Sequence, residues 1–315
     1  MSAFRDKKTS EDDIHIHLIL SNRYKKKLLM NLLILGAGWT STFLIPLCES
    51  THVTYAATTR SGSERTIQFT FDPESDDPIP YKRLPDAHTV LITFPITVKG
   101  GSEKLVKLYQ QTRQDTGLEP RFIQLGATSL WGDSSRNNPN AKLTKPSITE
   151  WYDRHSPIKV NPRGEEENAL LALSPETPTT VLNLAGLWGG SRSMRNWVDK
   201  VLPTKEVLKY KASLHMIHGL DVARAILAVH LHTQFPAGER WILTDMRVYD
   251  WWDLSSAWSV GEGDKKDGPQ AAWVRELMRE EGVRALPRSP EQLGRALDSR
   301  EFWEFFGLSP MKRLD

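Results

Sequence analysis

The chain has 315 residues, with 41 Lys and Arg against 39 Asp and Glu, a formal charge of +2, 39% hydrophobic residues and one cysteine. So nearly neutral a balance gives no electrostatic footprint for nucleic acid, and no apolar run approaches the roughly 20 residues of a membrane span. A single cysteine, Cys48, excludes an internal disulfide and fits a reducing, cytoplasmic setting. Residues 1–29 hold seven Lys/Arg against four acids. They lack a signal-peptide apolar region, and their acidic trio Glu11, Asp12 and Asp13 opposes a mitochondrial presequence. This segment reads as a disordered tail or a misassigned start ahead of Met30.

From Asn31 the chain reads NLLILGAGWTS. Leu32–Leu35 is a continuous apolar strand, as expected of a parallel strand buried on both faces. Gly36 permits a tight turn, and Gly38 lets backbone approach a phosphate pair with no Cβ in the way. Trp39, Thr40 and Ser41 open a helix over about Trp39 to Glu49, whose N–H groups at the positive dipole end face an anion. Ser41 stands at the usual third glycine and is small enough for close packing. Cys48 reads as a small core residue of this helix.

Further strands follow at His52–Arg60, Thr66–Phe71, His88–Phe94, Arg121–Leu125 and Thr180–Leu187. Helices are expected at Glu103–Gln114, with Leu105 and Leu108 on one face, and at Arg163–Leu173. This alternation predicts a doubly wound parallel α/β sheet. Past Gly189-Gly190 the texture changes, and seven tryptophans from Trp197 to Trp303 crowd the last third. The expected organisation is a tail at 1–29, a dinucleotide-binding core at 30–190 and a smaller C-terminal lobe at 191–315, with about 214–248 partly returning to the core. Ser289–Leu308 reads as a helix with Leu293 and Leu297 one turn apart, followed by Phe302, Trp303, Phe305 and Phe306. That aromatic plug is either core packing, the favoured reading, or a homodimer face.

Four segments in order resemble the NAD-dependent epimerase/dehydratase group of extended and atypical short-chain dehydrogenase/reductases. They are LGAGWTSTFL, LGATSLWGD (Leu125–Asp133), NLAGLWGGSR (Asn183–Arg192) and MIHGLDVARAI (Met216–Ile226). The resemblance implies a Rossmann core, a nicotinamide dinucleotide and a C-terminal substrate lobe. It also implies a Tyr-x-x-x-Lys pair plus a Ser or Thr, in which the ammonium lowers the phenol's pKa for acid–base work. Here the chain departs from the pattern, because none of its seven tyrosines has lysine four residues later. Tyr109 with Arg113 is the nearest imitation but follows the fourth strand, too early. NPRGEEEN (Asn161–Asn168) puts Arg163 at the Tyr place and Glu167 at the Lys place, and Ala127 replaces the serine, with Thr128 and Ser129 as substitutes. Arg163 can clamp an anionic substrate and Glu167 can act as a buried base. Equally, the two can pair at i, i+4 on a helix surface for about 0.3–0.5 kcal/mol. Tyr152 is another candidate acid.

At the end of the second strand, where NAD-binding members carry an acid for the ribose 2′-OH, stand Thr59 and Arg60. Donors and positive charge there suit a 2′-phosphate, and so NADP(H). Thr93, Phe94 and Pro95 would line the ribose-nicotinamide side. Arg192 and His218 are candidate substrate contacts, Asp221 a helix cap, and His230 with His232 a poor metal pair; no metal motif is seen. The expected function is an NADP(H)-dependent oxidoreductase or epimerase-like enzyme acting on a small carbonyl or hydroxyl substrate. The alternative is a non-catalytic NADP(H)-sensing regulator or scaffold.

Overall fold

A computed structural model describes residues 30–132, 150–159, 161–260 and 267–314. The segment 1–29 lies outside the described residues.

Seven strands form one sheet: β1 (Met30–Leu35), β2 (Tyr55–Thr59), β3 (Ile67–Gln68), β4 (Ala87–Ile92), β5 (Arg121–Ala127), β6 (Thr179–Leu184) and β7 (Glu239–Leu243). Their order is β7-β6-β5-β4-β1-β2-β3, and every pairing is parallel. Parallel strands need crossovers, and these run through α1 (Ser41–Ser50), α2 (Gly101–Gln111), α3 (Pro162–Leu171) and α4 (Gly219–Leu231). The expected doubly wound Rossmann architecture is therefore what the chain adopts.

Strand period sorts the side chains. Leu32 and Ile34 face a cluster with Leu44 and Cys48 of α1 and Val222 and Ile226 of α4. Leu33 and Leu35 face the opposite one, with Leu105 and Leu108 of α2 and Leu170 of α3. Cys48 is fully buried, as expected, and burial pushes its thiol up to about 11. Arg113 stays with Tyr109: its guanidinium carbon lies 3.7 Å from the ring centroid, and it donates to the carbonyls of Leu84 and Pro85. That pair is structural.

Beyond β6, residues Gly186–Trp188 leave the main sheet and pair with Met216–His218. A separate apolar cluster gathers Val198, Leu202 and Leu208 with Trp251 and Trp252 of α5 (Trp251–Trp258) and Val274 and Leu277 of α6 (Gln270–Glu280). Not all late tryptophans belong there. Trp241 on β7 and Trp303 on α7 (Arg300–Phe305) pack with the main core, and Trp197 is 52% exposed.

The expected helix over Ser289–Leu308 is replaced by three pieces. A 3-10 turn covers Pro290–Gln292, a strand covers Arg295–Leu297, and α7 follows. Gly294, at φ +72°, takes the left-handed conformation that ends the first turn. The strand is then captured by Glu150–Tyr152 and by His215, whose Nε2 accepts the Leu297 N–H at 3.0 Å. Phe302 and Trp303 are core residues, as favoured, while Phe305 is half exposed.

Candidate functional site

The turn after β1 is held from both neighbouring strands. Gly36 N–H donates to Thr58 Oγ1 at 3.0 Å, Ala37 N–H to Thr58 O at 2.6 Å, and Thr93 Oγ1 to Gly36 O at 2.5 Å. Gly36 has φ +90°, and a Cβ there would lie 2.7 Å from Thr93 Oγ1. Glycine is needed on both counts. At Gly38 the reason differs, since a Cβ would meet nothing within 4 Å. The space beside it is open, and α1 begins just beyond. The backbone N–H groups of Trp39 and Thr40 meet no acceptor among the described residues. The Ser41 hydroxyl is buried and likewise unpartnered. α1 carries no acid in its first turn, so this end is free for an anion.

A cleft of about 630 Å³ opens over this turn. Gly36, Gly38, Thr59, Arg60, Thr93, Phe94 and Pro95 all line it, together with Phe69, Phe71 and Ile96. Phe71 and Phe94 stack at 6.0 Å between centroids. Thr59 contributes less than expected, because its hydroxyl is spent within the β2–β3 turn, on Gly62 N–H at 3.0 Å and Thr66 Oγ1 at 2.9 Å. Arg60 is exposed, and no carboxylate stands beside it on the lining.

The Arg163–Glu167 pair forms, Nε to Oε1 at 3.1 Å, but not on a surface. Glu167 is 3% exposed, because Arg240, from β7, reaches it from 73 residues away, and Asn183 Nδ2 donates to it at 2.8 Å. Gly126 makes the room: a Cβ there would lie 2.7 Å from Glu167 Oε1. Both carboxylate oxygens are thus engaged, and three of the four lone-pair directions of Glu167 are taken by Arg163, Arg240 and Asn183. Its neighbour Glu166, also buried, points the other way and accepts from the N–H groups of Gly100 and Ser102 at the start of α2. It caps that helix from a distance.

Thr128, buried, and Ser129, exposed, sit in the 3-10 turn that ends β5. Tyr152 does not line the cleft. Its ring packs against the cluster of Leu130, Trp131, Ile242 and Leu297, beside that turn, and its hydroxyl bonds the Glu150 carboxylate.

A third group of residues surrounds Gly189. Trp39 Nε1 donates to Gly189 O at 3.0 Å, and the Arg192 guanidinium stacks over Trp39 at 4.5 Å. His218 packs edge-on to Trp188 at 4.6 Å and to Phe43 at 5.3 Å. His218, not Asp221, caps α4: its Nδ1 accepts from Leu220 N–H at 3.1 Å. Asp221, fully buried, instead holds the backbone N–H groups of Met311 and Lys312. Burial lowers the His218 pKa, so the ring is neutral at neutral pH. Sequence reading missed Trp188 and Arg240; only their places in the fold reveal them. Among the described residues no His/Cys/Asp/Glu group has metal-binding geometry, and no helix is long and apolar enough to cross a membrane.

These features define a doubly wound α/β protein with a glycine turn and an open, anion-compatible cleft at the carboxyl edge of its sheet. No protein-family model matches the sequence, and no curated protein matches it. Among solved structures the chain is similar to vestitone reductase from alfalfa, at 14% identity and TM-score 0.62, covering 90% of this chain and 94% of that one. It is similar to a short-chain dehydrogenase/reductase superfamily protein from Agrobacterium tumefaciens with bound NAD, at 11% identity and TM-score 0.56, covering 91% and 94%. It is also similar to RMD from Pseudomonas aeruginosa complexed with NADPH, at 12% identity and TM-score 0.54, covering 90% and 95%. At such identity the likeness shows the fold, which is that of epimerase/dehydratase and short-chain dehydrogenase/reductase structures.

Proposed function

We propose that the chain binds NADP(H) in the cleft over Gly36–Gly38 and acts as an oxidoreductase or epimerase-like enzyme on a small carbonyl or hydroxyl substrate. The observation that carries this reading is the glycine turn itself. Its backbone is locked by Thr58 and Thr93, Gly38 faces open space, and the N–H groups of Trp39 and Thr40, just ahead of α1, lack acceptors among the described residues. A diphosphate satisfies those donors. Preference for the 2′-phosphate follows from Arg60 on a lining without a carboxylate, where a charge-assisted hydrogen bond is worth about 1.5–3 kcal/mol. Bound there, the nicotinamide supplies the hydride chemistry.

The chain's own residues divide the remaining work. Thr128 and Ser129, at the end of β5, orient the substrate oxygen. Tyr152, packed beside that turn, handles the proton once its hydroxyl leaves the Glu150 carboxylate and turns toward the substrate, whereas Glu167 is held by Arg163, Arg240 and Asn183. Titration of the purified protein with NADPH and NADH tests the cofactor reading, which fails if neither binds. Steady NADPH oxidation against a panel of carbonyl compounds tests the enzyme. Tyr152→Phe should lower turnover about 10²- to 10⁴-fold while NADPH affinity is kept.

A further inference from the structure

We infer that the Gly189–Gly190 turn carries a second anion-binding point, which grips a carboxylate or phosphate through Trp188, Arg192 and His218. This deepens the reading above by naming the substrate class, and rests on it for the cofactor arm alone. The turn is built for close approach. Gly189 has φ +106° and Gly190 φ +57°, and Gly189 and Arg192 exchange backbone hydrogen bonds of 2.8 and 3.1 Å. That reversal brings Arg192 back over Trp39. Stacking holds a guanidinium in place while leaving its N–H donors unused, and Arg192 has no ion-pair partner among the described residues.

His218 supplies the second donor. Because Nδ1 accepts from Leu220 N–H, the proton of the neutral ring belongs on Nε2. Nε2 has no acceptor among the described residues, and the ring lies so close to the turn that a Cβ on Gly189 would collide with it. The third donor is Trp188 Nε1, buried without a partner among the described residues. A buried N–H left without an acceptor is unfavourable, and the carbonyl of the turn, Gly189 O, is already taken by Trp39. Three donor groups thus surround one turn with no acceptor left over. The arginine rules out a cation, and only an oxyanion offers several acceptor atoms at once.

Inorganic phosphate is the probe, and the Trp188 indole N–H resonance, assigned by its disappearance in Trp188→Phe, is the readout. Phosphate should shift that resonance. Arg192→Gln should weaken the response about 10- to 100-fold, and His218→Asn, whose amide oxygen can still cap α4, should also weaken it. If the response persists with NADPH bound, the anion belongs to the substrate. If NADPH abolishes it and Arg192→Gln weakens NADPH in parallel, the anion is the cofactor's diphosphate and the substrate class named here is overturned. The inference is overturned if the resonance ignores both phosphate and NADPH, or if the phosphate response is unchanged in Arg192→Gln. A phosphate response in a protein that binds no NADPH would overturn the proposed cofactor and leave this site standing.

Discussion

Replacing Arg240 with Met tests whether Glu167 is a structural keystone. The substitution keeps the apolar stem and removes the guanidinium that reaches Glu167 Oε2. It also strips the donors from Asn183 Oδ1 at 3.1 Å and Asn168 Oδ1 at 2.8 Å. Glu167 would keep Arg163, whose side chain is 27% exposed, and the Asn183 amide. Its own side chain is only 3% exposed and Arg240's 8%, so water cannot replace what is lost. Breaking one side of a buried ion pair costs about 3–5 kcal/mol, and each kcal/mol lowers Tm by roughly 2–4 °C in a domain of this order of size. Urea unfolding of Arg240→Met should show that loss. The double variant Glu167→Gln, Arg240→Met should recover much of it, because no unpaired carboxylate is left buried. A single variant within about 1 kcal/mol of the parent, well short of the buried-pair cost, would refute the reasoning and return Glu167 to the list of available bases.

The two glycines of the first turn should separate stability from binding. Gly36→Ala meets Thr93 and a positive φ, so it should destabilise by about 1–2 kcal/mol or more, whereas Gly38→Ala should leave denaturant stability intact and weaken NADPH in a direct titration. Arg60→Glu should shift the NADPH-to-NADH affinity ratio toward NADH by about 10- to 100-fold; an unchanged ratio removes Arg60 from the site. Stability should also fall on acidification. Burial holds His215 at about 3 and His230 at about 4, so below about 6.5 the unfolded chain takes up two protons that the folded chain refuses. Asp245, raised by burial to about 6, gains one proton in the folded state over the same range. For these three groups the balance is about one proton, or roughly 1.4 kcal/mol of stability lost per pH unit between about 6 and 5, and His218, also lowered by burial, and Asp253, also raised by it, add to opposite sides of that balance. Denaturation at both pH values checks it, and equal midpoints would contradict it.

Local signals made much of this molecule legible in the sequence. The apolar run Leu32–Leu35 followed by Gly36 and Gly38 marks β1 and its turn, and the later apolar runs mark β2 to β6 but not β7. The i, i+4 spacing of Arg163 and Glu167 anticipates their ion pair. What the sequence hides is long-range. Arg240 carries no signal of its own until β7 is paired with β6, which lays it beside Glu167 and turns a surface pair into a buried one. Gly294 sits between Leu293 and Leu297, one helical turn apart, and only its backbone angle shows that no helix runs through them. His218 takes the cap expected of Asp221, because the segment around Met311 and Lys312, some ninety residues later, claims the carboxylate. Trp188 looks like ordinary lobe filling until its indole nitrogen is found buried with nothing to bind.

Glu166 and Glu167 are adjacent on α3, yet one side chain is spent on the start of α2 and the other on Asn183 of β6 and Arg240 of β7. A helix riveted to its neighbours on two sides cannot tilt without breaking charged bonds at both ends of the tether. Where the resemblance would put the reacting pair, this chain has a fixed beam. Any opening or closing around a guest is therefore left to the loops that frame the cleft.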